Sequence, residues 1–84
     1  MIIGYEIKLD TIEKVKKFSS VVETFDNDID VMSGRYVING KSVIAIFSLD
    51  LGNVLKVIIH NASLSDVAKF EKAMEEFRVD ESNS

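Results

Sequence analysis

The amino-acid sequence predicts an α+β protein, an open-faced β-sandwich in which helices cover one face of a four-stranded, mainly antiparallel sheet. Short β-branched runs alternate with segments of helical periodicity, and turn residues separate them. The two longer helical segments each have only one apolar stripe, so both are expected to cover the same face of the sheet and to leave the other in water. The predicted order of elements is β-α-β-β-α-β-α.

The first two elements are a strand and an amphipathic helix. Residues 2–8 carry β-branched and aromatic side chains, which predicts a strand. Apolar residues then recur at helical spacing and predict a helix over residues 11–24, with the stripe Ile12, Val15, Phe18, Val22 and Phe25. Asp10 and Glu13 have the spacing of a capping box, so the helix is predicted to begin near Thr11.

A hairpin and a short helix are predicted next. Segments 28–33 and 36–38 flank Gly34, which can take the positive φ that a tight hairpin requires. The turn residues Asn39-Gly40 follow, and the Ser42 hydroxyl is placed to cap a helical run over residues 43–48. A run of this length is not stable alone.

The last two elements are a strand and a second long helix. After a turn at residues 52–53, residues 55–60 are strongly β-forming. Helical spacing returns over residues 65–78, with the stripe Val67, Phe70, Met74 and Phe77. Ser63 together with Asp66, or Ser65 itself, is predicted to cap this helix.

Length and composition restrict the possible functions. The chain has 84 residues, 46% of them apolar, enough for one domain, predicted at residues 1–79 and followed by a polar tail, 80–84. So small a core leaves no room for a deep, enclosed catalytic pocket, and we expect no enzyme. The absence of cysteine excludes disulfides, thiolate nucleophiles and cysteine-based metal sites.

Charge and hydropathy narrow the expected partners and location. The net charge of −4 disfavours binding to nucleic-acid phosphates. The first residues lack the basic-then-apolar pattern of a leader, and no apolar run approaches the roughly 20 residues that span a bilayer. We therefore expect a cytoplasmic protein without a membrane partner.

Two features of the sequence could suggest a chemical site, but neither has the residues that such a site needs. Asp26, Asp28 and Asp30 alternate like the start of a calcium loop, but Val31 stands where that loop needs glycine and Val37 where it needs glutamate. We therefore expect no metal or cofactor. His60, the only histidine, is predicted to be a surface residue on the open sheet face, without the oriented partner that a catalytic imidazole needs.

One segment carries a resemblance to a known family. Lys41-Ser42, the apolar stretch 43–47 and Ser48-Leu49 resemble the Lys-Ser, apolar stretch and Ser-Leu of the phosphocarrier HPr family. The order of elements and the positions of Phe18 and Phe25 match as well, so the resemblance covers residues 11–78. It implies the HPr-like fold and a role linked to the sugar phosphotransferase system or to carbon-catabolite regulation.

The sequence departs from the family at the site that defines it. The family has a Gly-Leu-His-Ala-Arg-Pro run at the start of its first helix. Counting back from Phe18 places Thr11 where the family has its histidine and Glu13 where it has its arginine. A threonine phosphoester is far less labile than a phosphohistidine, and Glu13 would repel phosphate. The resemblance therefore implies no phosphohistidine carrier activity, as in the catabolite-repression HPr paralogues, which also lack the histidine.

Ser42 matches the serine that an ATP-dependent kinase phosphorylates in many HPr proteins of Gram-positive bacteria. A phosphate there would face the free amides and positive dipole end of a helix. The alternative is that Ser42 only caps its helix, which is worth about 1 kcal/mol.

The family also docks its partners through its second helix. The matching side chains are Val43, Ile44 and Phe47, with Ile46 pointing inward. The alternative is that Ile44 and Phe47 are buried against residues 49–53.

The partners that the resemblance implies are an HPr kinase, a transcription regulator or components of the phosphotransferase system. A basic cluster, Lys8, Lys14, Lys16 and Lys17, lies near the start of the first helix, where family members meet acidic partner enzymes. A solvated helix face explains these lysines equally well.

Two other functions stay open: a phosphoryl carrier that uses Thr11 or another non-histidine residue, and an adaptor with an unrelated partner on the same fold.

Overall fold

The structure of the protein is a computed structural model that describes residues 1–79. Its elements are β1 (Ile3–Ile7), α1 (Ile12–Val22), β2 (Ile29–Ser33), β3 (Tyr36–Asn39), α2 (Val43–Phe47), β4 (Leu55–Ile59) and α3 (Leu64–Met74). The strands form one sheet in the order β1-β4-β2-β3, and each pairing is antiparallel. The predicted α+β class and order of elements are confirmed; the predicted tail, 80–84, lies outside the described residues.

The core lies between one face of the sheet and the helices. Alternate strand residues are fully or almost fully buried, among them Ile7, Ile29, Val31, Leu55, Val57 and Ile59. The residues between them, such as Lys56, lie on the opposite face in contact with water. This period of two is the pattern expected of a sheet with one covered face. Among residues 1–79, no helix has the length and apolar character that a bilayer crossing requires.

Aromatic side chains join the two long helices to each other and to the sheet. The ring of Phe18 on α1 meets that of Phe77 edge to face, with centroids 5.7 Å apart. Phe70 on α3 meets Phe25 edge to face, with ring centroids 5.5 Å apart. The Tyr5 ring of β1 is tilted against Phe70, with centroids 5.9 Å apart. Since such pairs add about 0.5–1.5 kcal/mol each to the burial of their surface, they fix how the helices sit on the sheet.

The start of α1 corrects one prediction. Thr11, rather than Asp10, is the N-cap: it has an extended backbone, and its Oγ1 accepts a hydrogen bond from the Lys14 N–H at 3.1 Å. The Asp10 carboxylate instead pairs with Lys14 Nζ at 3.0 Å. The predicted capping box of Asp10 with Glu13 is therefore wrong, because threonine one position later occupies the cap.

At the start of α3 the predicted capping box of Ser63 and Asp66 is confirmed. The Ser63 Oγ accepts from the Asp66 N–H at 3.1 Å, and the Asp66 carboxylate accepts from the Ser63 N–H at 3.0 Å. The helix ends at Met74, four residues earlier than predicted, because the chain then turns to pair with β1. The Lys8 N–H donates to the Phe77 carbonyl, and the Val79 N–H donates to the Glu6 carbonyl.

Gly40 is required by close contact with β2. Its N–H donates to the Ile29 carbonyl at 2.7 Å, and a Cβ at this position would lie 3.0 Å from that same carbonyl oxygen and 3.0 Å from Ile29 Cγ2. We expect Gly40→Ala to lower the free energy of unfolding by about 1–3 kcal/mol, because the backbone must shift to admit the methyl group. Urea denaturation measures this change.

Gly52→Ala is the matched control, since its nearest contact would be Asp50 Oδ1 at 3.4 Å. An equal loss in both variants would show that a general property of glycine, rather than the contact with Ile29, is responsible.

The capping box also predicts a pH dependence. Hydrogen bonds from the Ser63 backbone N–H and the Asn27 side chain hold the pKa of Asp66 below its ordinary value of 3.8. The ionised carboxylate therefore stabilises the fold above the unfolded pKa, and this stabilisation is lost as pH falls through the lower folded pKa. We expect Asp66→Asn to reduce the difference between urea midpoints at neutral and acidic pH. An unchanged difference would contradict this role.

Candidate functional site

The second helix begins at the serine that the sequence analysis singled out. Ser42 has an extended backbone, its Oγ accepts a hydrogen bond from the Ala45 N–H at 3.2 Å, and its own N–H donates to the Asn39 carbonyl at 3.0 Å. The predicted N-cap is confirmed. The Ser42 side chain is half-buried, and it lies where the first backbone amides of α2 lack partners within the helix.

Tertiary contacts hold α2 in place, since five residues cannot form a stable helix alone. Lys41 Nζ donates to the Phe25 carbonyl at 2.6 Å, which ties the start of α2 to the end of α1. The Ile46 side chain is fully buried in the core. Together with the Ser42 cap, these contacts fix both the position and the rotation of the helix.

The rest of α2 exposes large apolar side chains. Ile44 is 86% exposed, Phe47 46% and Val43 37%, and we call these three residues the α2 patch. Ile46 points inward as predicted, whereas the alternative in which Ile44 and Phe47 are buried against residues 49–53 is wrong. The loop residues Leu49 and Leu51 pack against the core instead. The burial of Ile46 leaves its neighbours on the outer face.

The start of α1 has none of the groups that form a phosphohistidine. Thr11 is exposed and engaged in its cap, and Glu13 adds a carboxylate to the first turn. Ile12, 62% exposed, adds apolar surface there. The only histidine lies elsewhere, after β4, so no ring nitrogen is available at this end of α1.

Acidic partners neutralise half of the predicted basic cluster. Lys14 pairs with Asp10, and Lys17 Nζ lies 3.4 Å from Glu76 Oε1 on the segment after α3. The hydrogen bond from Lys14 lowers the pKa of Asp10. Since two of the four lysines have an intramolecular counter-charge, a solvated helix surface accounts for much of the cluster.

His60 is not the isolated surface residue that the sequence predicted. Its Nε2 lies 2.8 Å from Asp30 Oδ2 on the neighbouring strand, and each side chain is about one-third exposed. The backbone is also fixed, because the His60 N–H donates to the Asp28 carbonyl and the Asn27 amide donates to the His60 carbonyl. Sequence reasoning missed this pair because the order of β2 and β4 in the sheet was unknown.

The pair lies at an open cleft of about 550 Å³ that Lys41 also lines. The His60–Asp30 pair supplies one imidazole that a carboxylate orients. Within residues 1–79, no group of three or more histidine, cysteine, aspartate or glutamate side chains is placed to hold a metal ion.

Comparison with known proteins identifies the fold. No protein-family model and no curated protein sequence matches the chain. Solved structures do match: an HPr-C-His protein from Thermoanaerobacter tengcongensis has a TM-score of 0.69 at 23% identity and covers 90% of this chain and 92% of its own. The phosphocarrier protein HPr from Bacillus anthracis has a TM-score of 0.72 at 16% identity, covering 93% and 96%. The chain has the HPr fold.

A histidine-containing phosphocarrier protein of Mycoplasma is similar in the same way, with a TM-score of 0.65 at 11% identity and coverage of 90% and 93%. All three identities are low, so the likeness is one of architecture. The HPr-like arrangement predicted from the Lys41-Ser42 segment and the order of elements is confirmed.

The opposite orientations of Ile44 and Ile46 can be tested with one chemical change at both sites. We expect Ile44→Ala to change the free energy of unfolding by less than about 0.5 kcal/mol, because the side chain is in water. Ile46→Ala should lower it by about 2–5 kcal/mol through loss of burial and formation of a cavity. Urea denaturation of both variants checks this, and similar losses would mean that Ile44 is buried.

Proposed function

We propose that the protein is an HPr-like regulatory binding module that carries no phosphoryl group on histidine and acts through Ser42 and the α2 patch. The observation that carries this proposal is the position of Ser42: its hydroxyl caps the N-terminus of α2, the short helix that carries the exposed side chains of Ile44 and Phe47. A charge change at Ser42 would therefore alter the surface that a protein partner meets. The HPr fold supports a link to the phosphotransferase system.

The physics of a helix N-terminus makes a phosphate at Ser42 compatible with the fold. Phosphorylation would replace the bond from the Ala45 N–H to Oγ with bonds to phosphate oxygens, which accept from the free amides of the first turn. The helix dipole favours the added negative charge. The fold would be retained while the N-terminus of α2, next in the chain to Val43, gains about two negative charges.

A regulatory role fits the chain better than phosphoryl transport. Thr11 offers a hydroxyl already used in a cap, and Glu13 would repel an incoming phosphate. We therefore propose a cytoplasmic, non-enzymatic protein whose partners are a kinase, a transcription regulator or phosphotransferase components. Labelling of the chain by phosphoenolpyruvate and the general sugar-transport kinase would instead support a carrier that uses Thr11 or another non-histidine residue.

The third possibility, an adaptor on the same fold with an unrelated partner, is distinguished by the genes that accompany this one. Neighbouring genes for sugar uptake or its regulation favour the proposed module. A neighbourhood without them favours the adaptor.

The kinase test is incubation with ATP and the HPr kinase of the same organism, followed by intact mass and peptide mapping. We expect one phosphate on Ser42. Ser42→Asp should take none while it keeps the cap, because aspartate is also a good N-cap residue. Ser48→Ala, at the other end of α2, is the matched control and should be phosphorylated normally.

A phosphocarrier HPr with its own kinase-site serine serves as the positive control for the enzyme. If that protein is phosphorylated and this chain is not, Ser42 is only a cap and the regulatory proposal is wrong.

A further inference from the structure

The outer edge of β3 (Tyr36–Asn39), called here the β3 edge, has no strand from residues 1–79 beside it. In the sheet order β1-β4-β2-β3, β3 pairs with β2 alone. The opposite edge of the sheet is different, because the chain after α3 bonds to β1 through Lys8 and Val79. Within residues 1–79, β3 is therefore the strand with a free edge.

The hairpin determines which backbone groups point outward. Ser33 and Tyr36 close a two-residue loop and form the hydrogen-bonded pair, so Val37, opposite Met32, is in a non-hydrogen-bonded pair. Its N–H and C=O must then point away from β2. Asn39 lies two residues further along β3, so its backbone groups should also point away from β2. Its carbonyl does so, because it accepts a hydrogen bond from the Ser42 N–H outside the sheet. No described residue pairs with the Val37 amide or carbonyl.

The β3 edge is short, at four residues, which itself limits pairing, but it lacks the other usual protections of an edge strand. Natural edges also carry lysine, proline or a bulge that prevents further pairing. The segment Tyr-Val-Ile-Asn contains none of these, and its first two side chains are 73% and 56% exposed. Both are residues of high β propensity. An extended chain could hydrogen-bond to Val37 and pack beside these side chains.

Charge selects the kind of chain that fits. Arg35, exposed in the turn just before β3, forms no ion pair with any residue among 1–79, whereas Lys41 beyond the other end gives its ammonium to the Phe25 carbonyl. Antiparallel pairing of two copies of β3 through Val37 would place Arg35 of each copy opposite Asn39 of the other, so a second copy offers Arg35 no opposite charge. A chain with an acidic residue beside Arg35 has the complementary charge.

We propose that the β3 edge binds an extended peptide segment of another protein, added antiparallel to β3, with an acidic residue at its C-terminal end. Antiparallel addition places the C-terminal end of the segment next to Arg35. Main-chain hydrogen bonds to Val37 would give affinity, and Arg35 would set direction. Since α2 packs against β3, the bound segment would lie next to the element that carries the α2 patch. The proposal does not depend on phosphorylation of Ser42.

The test uses two peptides of equal composition, acetyl-Thr-Val-Thr-Val-Glu-amide and acetyl-Glu-Val-Thr-Val-Thr-amide, titrated into the whole chain and followed by amide NMR. We expect the first to bind about two- to fivefold more tightly, the range expected of one exposed ion pair. Arg35→Gln should abolish this preference. The Val37 amide should exchange more slowly with solvent when peptide is bound, while the Ile38 amide, already directed at β2, should change little.

Two variants test the backbone contact itself. Val37→Pro removes the outward N–H and should weaken binding at least about tenfold, the effect of losing one hydrogen bond together with its strand geometry. Val37→Thr keeps the N–H and should bind like the unmodified chain. If Val37→Pro does not fold, slowed exchange at the Val37 amide of the unmodified chain still decides the question.

Three results would overturn the proposal: no binding at millimolar peptide, binding that leaves Val37 exchange unchanged, or equal affinity for the two peptides. A separate experiment measures, by sedimentation at several protein concentrations, whether the chain associates with itself. Self-association that is lost in Val37→Pro would assign the β3 edge to a second copy and would also overturn the proposal.

Discussion

The structure depends on burying the apolar stripes of α1 and α3 against one face of the sheet. Each helix has eleven residues, too few for stability in isolation, so both exist because their stripes are covered. Phe18, Phe70 and Phe77 fill the space between helices and strands. The same requirement leaves the second sheet face in water, where the polar pair His60 and Asp30 can lie. Burial of the two helix stripes on one sheet face therefore determines which face is the core and which is polar and open to water.

The short helix α2 depends on that framework. Its rotation follows from the burial of Ile46, and its position follows from Gly40 against β2 and Lys41 against the Phe25 carbonyl. Exposure of Ile44 is a consequence of these anchors, because the helix cannot turn to bury it without removing Ile46 from the core. Large apolar side chains are thereby held in water on a helix of fixed orientation.

Local signals in the sequence were sufficient for the order of elements and most caps, because periodicity and turn residues act over a few positions. Ser42 was identified as a cap for this reason, and Ser63 was one of two candidate caps for α3, of which the alternative, Ser65, is wrong. The cap of α1 was misplaced at Asp10 because Thr11 competes one residue later, and α3 was predicted too long because Phe77 keeps helical spacing after the chain has turned toward β1. His60 was misjudged because Asp30 is distant in sequence and becomes its neighbour only through the sheet order. The roles of Ser42 and the α2 patch stay predictions.

The place of β4 in the sheet affects how the chain can fold during synthesis. It is the last strand within residues 1–79, yet it lies in the middle and pairs with both β1 and β2, which do not pair with each other. The β2–β3 hairpin can close early, but β1 has no neighbour until residues 55–59 leave the ribosome. Until then the apolar sides of β1 and α1 have little to cover them. The strand order therefore delays completion of the sheet until residues 55–59 have been made.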